Sequence, residues 1–296
     1  MNDVDSSLLV SIVINCYNGE KYLSKTIDSI FKQTYENWEI IFWDNQSTDA
    51  SAKIIQSYSD DRIKYFQSVN YTPLGEARNM AIEKTSGEWC AFLDSDDIWV
   101  SDKLEKQIDI VNKDQDAGVV YGQMLVNVED VKRNSLWSKK MSKYTQKTMM
   151  KDLPEGGVFN QLLKVNFTPL LTAIFKRDLF LSVGGVSEHM EIAEDYDLFL
   201  KLSCLTKFRA VQDVVAYYRV HDRNTSLTKQ EKCFTEILEI INRYLPNKAA
   251  VSGLKMHNTV WAIYKIRSGE VVKGLNYFIQ NGSVNSLAYL VKSKFF

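Results

Sequence analysis

Apolar and polar positions alternate in blocks along the first hundred residues. Residues 8–14 are apolar except for Ser11, a short run of the kind that forms a strand buried on both faces. Over 20–33, Leu23, Ile27, Ile30 and Phe31 recur at helical spacing, which predicts a helix with one apolar face. The alternation continues with strands over 38–43, 63–66 and 88–93 and helices over 50–58 and 75–84. A further helix holds Leu104, Ile108 and Val111 in register. Strands and helices that take turns in this way predict an α/β domain with a mainly parallel sheet and helices on both faces.

The later chain is less regular. Residues 117–128, 168–175 and 208–220 read as strands, and a polar segment fills 129–157. A Gly184-Gly185 turn precedes a helix from about Ala193. From about 230 the pattern is helical only, with Phe234, Ile237, Leu238, Ile241 and Leu245 on one stripe, as expected of helices packed against a protein body.

Composition changes this picture little, whereas charge adds to it. A chain of 296 residues with 45% hydrophobic content can bury one large core and carry an appendage. The net charge of −1 excludes general nucleic-acid binding. The charge is uneven, however: residues 230–296 sum to +5 and the rest to −6. Cys16, Cys90, Cys204 and Cys233 are widely spaced with no CxxC pair, which predicts reduced thiols in a cytoplasmic protein. The N-terminus is acidic where a signal peptide would be basic, and no apolar run is long enough to span a bilayer. A soluble or peripheral protein is expected.

Chemistry concentrates at Phe92-Leu93-Asp94-Ser95-Asp96-Asp97-Ile98-Trp99. Three carboxylates within four residues repel one another unless a positive group sits between them. A divalent cation on oxygen ligands, with a phosphate on its far side, is the economical resident. An acidic turn capping the next helix through Asp96 or Asp97 is the alternative. The first strand ends at Asn15-Cys16-Tyr17-Asn18-Gly19 and the second at Asp44-Asn45-Gln46-Ser47-Thr48-Asp49. Strand ends in open α/β sheets bind ligands, and these three together suit a nucleoside diphosphate. Tyr17 can stack on a base, Asp44 can accept from a base N–H, and the cation can bridge the phosphates.

These segments are similar to the opening motifs of family 2 glycosyltransferases. Ala77-Arg78-Asn79, Gly184-Gly185, Glu194-Asp195-Tyr196-Asp197-Leu198 and Tyr218-Arg219-Val220-His221 to Asn224-Thr225-Ser226 continue the resemblance, which covers roughly residues 8–226 in the family's order and spacing. It implies a GT-A fold over 1–228, with a nucleotide-binding half over 1–115 and an acceptor-binding half over 116–228, followed by a C-terminal helical region over 229–296. It implies inverting transfer from a nucleotide-sugar, a UDP-sugar by preference, to a saccharide or lipid-linked saccharide, with Mn2+ or Mg2+ as cofactor. The departures are Asn45 and Gln46, where the family often has aspartate and glycine, and Asn15, where proline is common.

The resemblance also implies roles. Asp96 matches the second acid of the DxD motif as metal ligand, with Asp94 supporting it and Ser95 between them. Asn15, Tyr17, Asn18 and Asp44 belong to the nucleotide site. Arg78, just inside a helix, is placed to meet phosphate, with a surface salt bridge as the alternative. Asp195 matches the general base, which takes the acceptor hydroxyl's proton on the face opposite the leaving group. Glu194 orients that site, Asp97 caps the following helix, and Asp197 is structural or meets acceptor hydroxyls. His221 is either a packed imidazole or a contact to phosphate or metal.

Two basic stretches suggest peripheral membrane contact: residues 129–151, with seven Lys/Arg against two acids, and 287–296. A processive synthase would need membrane spans and QxxRW, and a dinucleotide enzyme GxGxxG; none occurs. A non-catalytic nucleotide-sugar-binding or scaffold subunit is the alternative class, although such relatives lose the base or the metal acids and this chain keeps both.

Overall fold

The computed structural model describes residues 8–128, 152–221, 224 and 228–292. The basic 129–151 segment, Thr225, Ser226 and the tail from 293 lie outside the described residues. The chain divides into two compact units, one of Met1–Val158 with Phe167–Thr228 and one of Phe159–Asn166 with Lys229–Phe296. Residues 159–166, expected in the acceptor half, thus group with the C-terminal helices.

The first unit is built on an eight-stranded sheet in the order β3-β2-β1-β4-β7-β6-β8-β5. Its strands are β1 (Val10–Cys16), β2 (Trp38–Asp44), β3 (Ile63–Gln67), β4 (Trp89–Phe92), β5 (Ile98–Trp99), β6 (Ala117–Val128), β7 (Ile174–Lys176) and β8 (Lys207–Val220). β1 runs parallel to β2 and β4, and β2 to β3. The far half is mixed, since β7 is antiparallel to β4 and β6 while β6 and β8 are parallel. Between the strands lie α1 (Leu23–Phe31), α2 (Ser51–Gln56), α3 (Leu74–Ile82), α4 (Lys103–Lys113), α6 (Arg177–Ser182) and α7 (Glu194–Ser203). β1, β2 and β4 are buried almost throughout, as their continuous apolar runs require. Leu23, Ile27 and Ile30 of α1 pack into the same core.

The expected strand over 168–175 is corrected. Leu170–Thr172 forms a 3₁₀ turn, and only Ile174–Lys176 joins the sheet. The reason lies in distant side chains. Trp99 Nε1 donates to the Leu171 carbonyl at 2.8 Å, and Gln107 Nε2 to the Thr172 carbonyl at 2.8 Å. These carbonyls are therefore satisfied without a strand partner.

The second unit contains α5 (Phe159–Leu162), α8 (Gln230–Asn242), α9 (Lys248–Arg267), α10 (Val271–Asn281) and α11 (Val284–Lys292). Asn247 caps α9 by accepting from the Ala249 N–H at 2.7 Å. Gly253 lets α9 approach the chain after α5 so closely that a Cβ there would meet the Leu163 carbonyl oxygen at 1.9 Å. Phe234 and Trp261 stack at 4.5 Å between α8 and α9. Among the described residues no helix is long and apolar enough to cross a membrane.

Candidate active site

Parallel strands β1, β2 and β4 end on one edge of the sheet, so the loops that follow them meet there. The first two loops are laced together. Asn18 takes a left-handed backbone (φ 54°), which asparagine tolerates better than most residues. Its N–H donates to Ser47 Oγ at 3.0 Å, and its Oδ1 accepts from the Thr48 N–H at 2.8 Å. The Gly19 N–H donates to Ser51 Oγ at 2.9 Å. A Cβ on Gly19 would lie 2.9 Å from both Cys16 Sγ and Ser95 Oγ; glycine is what lets this loop rest against the acidic one. Gln46 is also left-handed (φ 69°), which explains why its position favours glycine.

Asp44 is wholly buried. It accepts from the Ser47 N–H and the Tyr65 hydroxyl, each at 2.8 Å. Burial and this carboxylate push the Tyr65 hydroxyl up to about 12. Tyr17 is exposed, with its ring against that of Tyr71 at 5.0 Å and 64°, an aromatic pair on the rim of the edge. Asn15 lies beside Trp43 in the β1–β2 register. Its Nδ2 is buried and has no acceptor among the described residues.

Arg78, on α3, joins the two halves of the first unit. Its Nη2 donates to Asp94 Oδ1 at 2.9 Å and its Nη1 to Glu194 Oε1. The guanidinium lies over the Phe92 ring at 5.4 Å and is almost fully buried. The terminal nitrogens expected to meet phosphate are thus held by carboxylates. Asp195, the next residue after Glu194 at the start of α7, is pushed up to about 7. Burial is the larger cause, the charge of Glu194 adds to it, and Arg78 opposes it. Asp197 bonds Ser187 and pairs with Lys201 at 2.6 Å. Next to Arg78, Asn79 clasps the glycine turn, with Nδ2 donating to the Val186 carbonyl and Oδ1 accepting its N–H, both at 3.1 Å.

The rest of the acidic loop meets the end of β8. Asp96 Oδ2 lies 2.8 Å from His221 Nε2. The His221 ring stacks on Tyr22 at 4.8 Å, and the Arg219 guanidinium sits on Tyr22 at 4.6 Å. The Ser95 carbonyl accepts from the Thr26 hydroxyl at 3.0 Å. Asp97 does not cap the following helix, which begins only at Lys103 after β5. It is wholly buried and its Oδ1 accepts the Arg219 N–H at 2.8 Å. Burial and the charges of Asp96 and Asp94 hold its carboxyl well above the usual range.

Among the described residues no group of three or more His, Cys, Asp or Glu side chains could hold a metal ion. Asp94 Oδ1 is taken up by Arg78 and Asp96 Oδ2 by His221, which leaves one oxygen of each carboxylate toward which a cation could be drawn. Mg2+-like ions use one or two carboxylates and take their remaining ligands from water and substrate phosphate.

Sequence reasoning missed Tyr71, Tyr22 and Arg219. Tyr71 stands in an irregular stretch between β3 and α3 with no periodicity to flag it, Tyr22 reads as an ordinary helix position, and Arg219 lies within the Tyr218–His221 motif but was given no role of its own.

The family model described as glycosyl transferase family 2 matches residues 11–179. Two Escherichia coli proteins are similar in sequence. One is named UDP-Glc:alpha-D-GlcNAc-diphosphoundecaprenol beta-1,3-glucosyltransferase WfgD, 35% identical over 194 residues, 66% of this chain and 69% of that one. The other carries the same description as WfaP, 29% identical over 274 residues, 90% of this chain and 95% of that one. Two solved structures share the fold. Staphylococcus aureus TarS 1–349 has a TM-score of 0.62 at 19% identity, covering 95% of this chain and 83% of that one. Mannosyltransferase PcManGT from Pyrobaculum calidifontis, in complex with GDP-Man and Mn2+, has a TM-score of 0.65 at 18% identity, covering 98% and 80%. With a matching family model over more than half its length and a relative 35% identical, the chain belongs to glycosyl transferase family 2 and transfers a sugar from a nucleotide-sugar donor to an acceptor.

Proposed function

We propose that this glycosyltransferase is inverting and dependent on a divalent cation. Its donor is a UDP-sugar, and its acceptor is a lipid-linked saccharide of bacterial surface-polysaccharide biosynthesis, met at the cytoplasmic face of a membrane. One observation carries the reading: a single buried guanidinium, Arg78, bonds both Asp94 of the acidic loop and Glu194 beside Asp195, 116 positions along the chain. The donor-side acids and the base are thereby held as one cluster.

In the inverting step the acceptor oxygen bonds to the anomeric carbon as the bond from that carbon to the diphosphate oxygen breaks. The hydroxyl proton passes to the Asp195 carboxylate. A carboxyl pushed up to about 7 is well matched to accept a proton near neutral pH. Arg78 fixes Glu194 and Asp94 and so sets the charge around the base. Tyr17 stacks on the base of the nucleotide, with Asn15, Asn18, Asp44 and Ser95 completing its site. Asp94 and Asp96, with His221 beside them, would hold the cation, which would supply electrostatic stabilisation of the departing diphosphate. The names of WfgD and WfaP support a UDP-sugar and a diphosphoundecaprenol-linked acceptor, and Mn2+ with PcManGT supports the metal.

Nucleotide release from UDP-, dTDP- and GDP-sugars, with Mn2+ and with chelator, tests this. Release from a UDP-sugar alone, stopped by chelator, is expected. Turnover of a GDP-sugar instead overturns the donor, indifference to chelator overturns the cation, and a product of retained anomeric configuration overturns inversion.

A further inference from the structure

The outer faces of the last two helices are apolar and open to solvent. In α10, Gly274 is buried against α9, where a Cβ would lie 2.7 Å from the Ala262 carbonyl oxygen. Away from that line, Val272, Leu275 and Ile279 are 71%, 49% and 79% exposed. In α11, Ser286 and Leu290 are buried, while Val284 and Val291 on the outer side are 73% and 64% exposed. Beside this apolar stripe α10 also exposes Lys273, Asn276 and Gln280, so the helix meets solvent on both a polar and an apolar side, and contiguous exposed apolar surface marks a place of interaction.

The surrounding charge favours one occupant. From residue 248 to residue 291 the sequence carries Lys248, Lys255, Lys265, Arg267 and Lys273 against the single acid Glu270, a net +4. Glu270 is itself held by Lys265 at 3.0 Å and Lys273 at 2.9 Å. Lys248, Lys255, Arg267 and Lys273 are exposed. A second copy of the chain would bring these like charges toward one another, whereas anionic headgroups complement them.

We propose that the outer face of α10 and α11 docks the enzyme on an anionic lipid bilayer. The valines, Leu275 and Ile279 enter the headgroup–acyl boundary and the basic residues of α9 and α10 meet the headgroups. This deepens the lipid-linked acceptor reading and rests on it for its purpose, though not for its geometry.

The test is co-sedimentation of the full chain with vesicles of phosphatidylglycerol and phosphatidylcholine in equal parts, and with phosphatidylcholine alone, at low and high salt. Binding to the acidic vesicles that weakens with salt is expected. The Arg267→Glu/Lys273→Glu variant loses about fivefold or more per residue. Leu275→Glu/Ile279→Glu loses at least roughly tenfold, with donor hydrolysis in solution unchanged as the check on folding. Wild type that stays in the supernatant with acidic vesicles at low salt overturns the proposal. So does a dimer in light scattering that the Leu275→Glu/Ile279→Glu variant dissociates, since the face would then join two copies. No acceptor is present in this assay, so an acceptor that proves water-soluble leaves its result standing.

Discussion

Burial and the charge of Glu194 both raise the proton affinity of Asp195, and together they outweigh Arg78, which lowers it, to leave the carboxyl at about 7. As the proposed base it must be ionised, so kcat/KM rises about tenfold per pH unit below that value and levels above it. Asp195→Asn lowers kcat by about 10²–10⁴-fold with donor binding retained. Glu194→Gln removes the negative neighbour and leaves Arg78, so the ascending limb of the pH profile moves to lower pH; a limb that stays in place separates Glu194 from the base. Stability carries the opposite sign. A carboxyl raised in the fold stabilises it below the ordinary carboxylate range, and that contribution is lost as pH rises to about 7. Above pH 7 the inactive Asp195→Asn variant therefore melts higher than wild type, by roughly a few °C.

The elements owe their placement to a few close approaches. Gly185 is left-handed (φ 68°), and a Cβ there would lie 2.3 Å from Asn79 Oδ1. Gly185→Ala destabilises the first unit by at least about 1–2 kcal/mol. It also disturbs the Asn79 clasp next to Arg78, so thermal melting and kcat should fall together. The β1, β2 and β4 segments and their following helices were legible because a strand buried on both faces must be apolar throughout. The 168–175 segment was not, because its apolar run is equally content as a 3₁₀ turn once Trp99 and Gln107 satisfy its carbonyls. Neither side chain is near it in sequence. Asp97 misled for a similar reason. Its short acidic context reads as a cap, while its actual partner is the Arg219 N–H, 122 positions away.

At the scale of the whole molecule the chain is two compact units, and a single unfolding transition is not assured for such a chain. Gly253 offers a way to perturb one unit alone, since a Cβ would meet the Leu163 carbonyl oxygen within that unit. Gly253→Ala costs about 1–3 kcal/mol or more. Hydrogen exchange should show lost protection over residues 229–292 and retained protection in β1, β2 and β4.

By itself the sequence determined the order of strands and helices over residues 8–113 apart from the two-residue β5, because burial writes periodicity directly into residue choice. It also determined which loops follow the ends of the parallel strands, where open α/β sheets bind their ligands. Only the tertiary structure decided what those side chains hold. Arg78 reads as a phosphate contact or a surface salt bridge near a helix start, yet its terminal nitrogens are buried and belong to Asp94 and Glu194. His221 reads as a lone imidazole, yet it bonds Asp96 and lies on Tyr22. Charge pairing and ring stacking depend on distances of a few ångströms between residues far apart in the chain, and one-dimensional spacing carries no record of them.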